Sequence, residues 1–128
     1  MREMTEIEVI FAVELTPKGK DYIEKTVNSL PHIEKLRSRP EEEIYYRMVL
    51  ADTGYVKSYA LLDVLEVAFS MLDDIKLKII QEITDSTYGE CMMEIVVLSK
   101  DVFPEMYISN EYVKRISYLH MNVDIDLY

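Results

Sequence analysis

The last eight residues, 121–128, alternate apolar and polar side chains without a break: Met-Asn-Val-Asp-Ile-Asp-Leu-Tyr. A period of two describes a strand with one dry face and one wet face. Met121, Val123, Ile125 and Leu127 fall on one side, and Asn122, Asp124, Asp126 and Tyr128 on the other. The stretch Glu6 to Leu15 repeats the arrangement, with Ile7, Val9, Phe11, Val13 and Leu15 opposed to Glu6, Glu8 and Glu14. Two such strands side by side make a sheet that is greasy on one face and rich in carboxylates on the other.

Between these strands the punctuation is helical and extended by turns. Thr16-Pro17 is a helix start, since Thr caps well and Pro at the first helical position needs no N–H partner. Tyr22, Ile23, Thr26, Val27 and Leu30 follow at helical spacing until Pro31. His32 to Leu36 reads as a short edge strand, and Ile44 to Ala51 as a strand that ends at the turn Asp52-Thr53-Gly54. Ser58 is placed to cap a helix with a broad apolar stripe from Tyr59 to Leu72. Residues 75–83 fit a helix with Ile75, Ile79, Ile80 and Ile83 inward, with a strand as the competing reading. Cys91 to Ser99 reads as a strand. Ser109 or Asn110 caps a last helix carrying Tyr112, Val113, Ile116 and Leu119.

The resulting order, β-α-β, two helices, β-α-β, predicts one α+β domain over residues 1–128. Two βαβ units suggest a four-stranded sheet of the ferredoxin-like split type, with helices on one face. In that arrangement the first and last strands are antiparallel neighbours. Glu6, Glu8 and Glu14 would then lie near Asp124 and Asp126.

Charge narrows the partners. Lys and Arg number 14 against 24 Asp and Glu, a formal net charge of −10. Such a field repels phosphate backbones and anionic membranes, and attracts basic proteins or cations. The single cysteine, Cys91, excludes an internal disulfide and fits a reducing compartment. No stretch approaches the roughly 20 apolar residues that span a bilayer. The expected location is cytoplasmic.

The segments Asp52-Thr53-Gly54-Tyr55-Val56-Lys57-Ser58-Tyr59, Met92-Met93-Glu94-Ile95-Val96-Val97-Leu98, Tyr107 to Ile116 and Val123 to Tyr128 resemble a bacterial family known as domain of unknown function 4279. The resemblance covers residues 52–128. It implies a bacterial, cytoplasmic, single-domain protein, and it carries no activity or functional residues with it.

Catalytic patterns are sparse. There is no G-x-S-x-G, no Walker loop and no dinucleotide fingerprint, and three glycines give little material for a phosphate cradle. A Cys–His pair could form between Cys91 and His120 or His32, but a free Cys opening an apolar strand is ordinarily a small core residue. The two His and one Cys lack zinc-site spacing, and no EF-hand-like loop is present. No cofactor is expected. The carboxylate face remains, together with ten tyrosines, whose large apolar ring and polar tip suit interfaces.

These features favour a non-enzymatic module that binds a basic protein, in the manner of a toxin-neutralising immunity protein. Its contact residues would be Glu6, Glu8, Asp124, Asp126, Tyr128 and Tyr45. The alternatives are a structural homodimer, paired through sheet faces or an edge strand, and a metal-binding or hydrolytic protein that uses the carboxylates.

Overall fold

The computed structural model describes residues 5–26, 33–37, 44–100 and 102–128. Among the described residues it is an α+β structure with a mixed sheet and four helices. The first strand, β1 (Glu6–Leu15), is central. Strands β2 (Ile33–Arg37) and β3 (Ile44–Asp52) lie to one side of it, and β5 (Gly89–Leu98) and β6 (Asn122–Leu127) to the other. A two-residue strand, β4 (Val56–Lys57), continues along the β3 side of β1, opposite Glu6 and Ile7. Among the described strands every pairing is antiparallel except β5 with β6.

This order corrects the split-βαβ arrangement. The closing strand does not lie beside the opening one. β5 occupies that place over its whole length, and β6 is the edge beyond it. The cause is visible in β5, which carries apolar or polarisable side chains at most positions on both faces (Met92, Met93, Ile95, Val96, Val97, Leu98). A strand that is apolar on both sides suits a sheet interior. The strand with alternating charges is left to the edge.

Helices α1 (Pro17–Thr26), α2 (Leu61–Ser70), α3 (Asp74–Thr84) and α4 (Asn110–Tyr118) share one side of the sheet. Ile7, Val9, Phe11, Val13 and Leu15 of β1 join Cys91, Met93, Ile95 and Val97 of β5 in one buried cluster. Ile23 of α1, Leu61, Val64, Leu65, Ala68 and Phe69 of α2, and Ile79, Ile80 and Ile83 of α3 close over them. Each large side chain buried this way contributes about 1.5–3 kcal/mol. α2 supplies the largest helical share, as its broad stripe implies.

Local signals are followed in most places. The Thr16 hydroxyl accepts from Gly19 N–H, and the Asp73 carboxylate from Lys76 N–H. The Ser109 side chain accepts from Tyr112 N–H. Ser58 does not cap α2: its hydroxyl exchanges bonds with Ala60 N–H and C=O, and the helix starts at Leu61. Ile75 is 62% exposed rather than inward; it falls in the first turn of α3, and the buried residues of this helix, Ile79, Ile80 and Ile83, all come from its later turns.

The apolar face of β6 is also not core. Met121 is buried, but Val123, Ile125 and Leu127 are 43%, 45% and 57% exposed. α2 lies mainly over β1 and α3 over β5, so the helix layer stops short of the edge strand. Among the described residues no helix is long and apolar enough to cross a membrane.

Candidate functional site

The side of the sheet away from the helices collects the carboxylates, and strand register fixes their places. One row across the sheet runs Asp52 (β3), Ile10 (β1), Glu94 (β5), Asp124 (β6). The adjacent row runs Glu8 (β1), Val96 (β5), Asp126 (β6). On the far side of the first row come Val49, Ala12, Met92 and Asn122, and then Arg47, Glu14 and Glu90. Glu6 ends the face opposite Leu98 and Lys57. Neighbouring strands are about 4.8 Å apart, so Glu8 and Asp126 are separated by about 10 Å.

Apolar residues therefore sit between several of the acids. Directly opposed like charges occur at Glu94 with Asp124 and at Glu14 with Glu90. Such pairs cost a few tenths to about 1 kcal/mol each. One cation offsets part of this: the Arg47 guanidinium holds Glu94 with two hydrogen bonds, one of them from Nη2 to Oε2 at 2.8 Å.

Glu8 is the most perturbed acid of the group. Partial burial raises its pKa most, followed by a hydrogen bond shared with Asp52 and the negative charges of Asp52 and Glu94. Together they push it up to about 7. The Asp52 carboxylate also accepts from Gly54 N–H at 2.8 Å, which fixes it at the turn after β3. Glu8 thus keeps its proton up to about neutral pH, beside the Asp52 carboxylate.

The residues expected from sequence distribute as follows. Glu6, Glu8, Asp124 and Asp126 share this face, though β5 separates the first two from the last two. Tyr128 continues from β6 and is 74% exposed. Tyr45 sits in β3 opposite Leu36, and its side chain lies outside the described residues. Asp52 and Glu94 were missed as site residues. The first reads as a turn residue, and the second is a lone acid inside an apolar strand, a signal that pointed to a partner.

Among the described residues the other chemical candidates do not assemble. Cys91 is buried in the core cluster, and burial pushes its thiol up to about 12. His120 is exposed at the turn into β6, at φ 53°, and His32 lies outside the described residues. Among the described residues no group of three or more His, Cys, Asp or Glu is arranged to hold a metal ion.

No family model, no curated protein and no solved structure matches this chain.

Proposed function

We propose that this chain is a non-enzymatic, cytoplasmic binding module that holds a basic protein against the helix-free face of its sheet, neutralising it as an immunity protein does a toxin. The observation that carries this reading is the register of Asp52, Glu8, Glu94, Asp124 and Asp126 over four adjacent strands. These acids share one face of the sheet, Glu94 already paired with Arg47, and apolar Ile10 and Val96 lie between them. A surface of this kind suits Lys and Arg side chains whose stems lie on the apolar residues while their heads meet the acids. The raised Glu8 supports the same reading. Burial does most to hold its proton on, and the Asp52 and Glu94 charges add to it. A cation placed beside it offsets both, and the overall charge of −10 draws such a partner in.

The test is affinity capture from the native cell by the tagged full chain. Wild-type protein is expected to retain a stoichiometric basic protein at low salt. It should release that protein near about 0.5 M salt, where the screening length falls to about 4 Å. The Asp124→Asn/Asp126→Asn variant is expected to retain less, with a flatter salt dependence. Capture that is indifferent to both salt and these substitutions overturns the proposal.

A further inference from the structure

Among the described residues no strand pairs with the outer edge of β6, and this edge, a second feature of the same region, is built unlike a protected one. Sheet edges are ordinarily blunted by Lys, Pro, bulges or a covering element. Asn122 to Leu127 contain neither Lys nor Pro, pair with β5 in unbroken register, and are exposed throughout. Their helix-side residues Val123, Ile125 and Leu127 form an uncovered apolar row.

The backbone shows which groups are free. Tyr128 N–H donates to Val97 C=O, and Tyr128 C=O accepts from Ser99 N–H, so both of its groups turn toward β5. Backbone direction alternates along a strand. Asp126 and Asp124 therefore also bond β5, while Val123, Ile125 and Leu127 aim their N–H and C=O groups outward. The residues with exposed apolar side chains are the ones with free backbone groups.

We infer that β6 accepts an added strand from the basic partner, a segment that alternates Lys or Arg with apolar residues. Residues directly across a ladder share a face. The basic positions would stand opposite Asp124 and Asp126, and the apolar ones opposite Val123, Ile125 and Leu127. A second copy of this chain fits poorly. Antiparallel pairing about Ile125 sets Asp124 of each copy against Asp126 of the other, next to Glu94. The basic character of the added strand rests on the function proposed above; the free edge does not.

The probe is a synthetic octapeptide of alternating Val and Lys, with a Val/Glu octapeptide as control, titrated against the isotope-labelled full chain. Saturable binding of the Val/Lys peptide is expected, with amide exchange slowed about ten-fold or more at Val123, Ile125 and Leu127 and little changed at Asp124 and Asp126. Ile125→Pro removes an outward N–H that β5 does not use, and Pro is tolerated on edge strands with that geometry. Binding should fall about ten-fold. Asp124→Lys/Asp126→Lys keeps the edge and should exchange preference from the Lys peptide to the Glu peptide. Any of four outcomes overturns the inference: no binding at millimolar peptide, binding without protection of the three amides, equal binding by Ile125→Pro, or equal binding of the Glu peptide. Protection that rises with protein concentration alone assigns the edge to a second copy and also overturns it. If cellular capture is salt-sensitive but Ile125→Pro captures normally, the face stands and the edge falls. If capture fails while the peptide still adds to β6, the reverse holds.

Discussion

Arg47 and Glu94 form a two-pronged ion pair that reaches from β3 to β5 across the central strand, over Ala12. Arg47 is in register with Glu14 and Glu94 with Ile10, so the line joining them crosses β1 midway, at Ala12. Ala12 points away from the helices and is nonetheless fully buried, beneath this pair. Both charged side chains are mostly covered, at 16% and 21% exposure, which places the pair between surface and interior ion pairs in value. Arg47→Met is expected to cost about 2 kcal/mol, because Glu94 would be left beside Glu8 and Asp124 without its guanidinium. Glu94→Gln on that background should recover part of the loss. A double-mutant cycle by urea unfolding checks this, and additive losses would mean that the pair contributes nothing jointly.

Glu8 makes stability fall as pH rises. Its pKa is about 7 in the folded chain against 4.5 as its ordinary value. Between those pH values the unfolded chain has lost the proton and the folded chain keeps it, so each step upward favours unfolding. Below about 4.5 and above about 7 the contribution is level. Glu8→Gln is expected to remove this slope and to raise the melting temperature at pH 8 relative to wild type, with little effect at pH 5. Equal slopes in the two proteins would show that Glu8 titrates normally.

How much of this was legible can be judged from β5 and β6. The period-two pattern of each strand was readable, and so was the side on which Glu6, Glu8, Asp124 and Asp126 would lie. The neighbour of β1 was not. Alternation reports which face of a strand is dry and is silent about which strand sits next to it. Glu94 held the missing information, since an acid inside an apolar strand needs a cation. The matching Arg47 is 47 residues away in sequence, and only the register of three strands brings them together. The dry face of β6 misled for a related reason. Its pattern is that of a covered strand, and the helix layer does not extend to it.

Gly19 offers a test in which two effects predict opposite signs. In the first turn of a helix, Gly→Ala ordinarily stabilises by a few tenths to about 1 kcal/mol. Here a Cβ would stand 2.1 Å from the Tyr88 carbonyl oxygen, which already accepts from the Thr16 N–H and hydroxyl. Nothing in that backbone junction can yield cheaply. Gly19→Ala is therefore expected to destabilise by about 2 kcal/mol. A stabilised variant would show that α1 is not seated against the turn before β5.

Cys91 should behave as a core residue. Buried at the start of β5 with its thiol pushed up to about 12, it presents almost no thiolate at neutral pH. Thiol-directed reagents are expected to label it only after denaturant is added, at a rate set by unfolding. Rapid labelling of the native chain would place the thiol in contact with solvent.

α4 is the element most able to come loose. None of its residues is fully buried, and its seat is aromatic: Tyr112 stacks on Phe69 at 4.9 Å, and Phe69 meets Phe11 edge-on at 5.0 Å. The Arg115 guanidinium covers the Phe69 ring at 4.4 Å. Tyr112→Ala removes the stacked ring and is expected to cost about 2 kcal/mol, less than truncating a fully enclosed aromatic. Because α4 contributes little to the main cluster, its amides are expected to open at a lower free energy than those of β1 and β5 in both proteins. Hydrogen exchange is expected to accelerate in Asn110 to Tyr118 by more than ten-fold in the variant, so that α4 opens well below the free energy of global unfolding. The chain from α4 reaches β6 through the buried Leu119 and Met121, which act as a second anchor. If that anchor holds, β6 amides bonded to β5 stay protected in the variant, and the edge strand remains presented while its helix frays. Equal opening free energies in α4, β6 and the β1 and β5 amides would instead mean that α4, β6 and the core open as one unit.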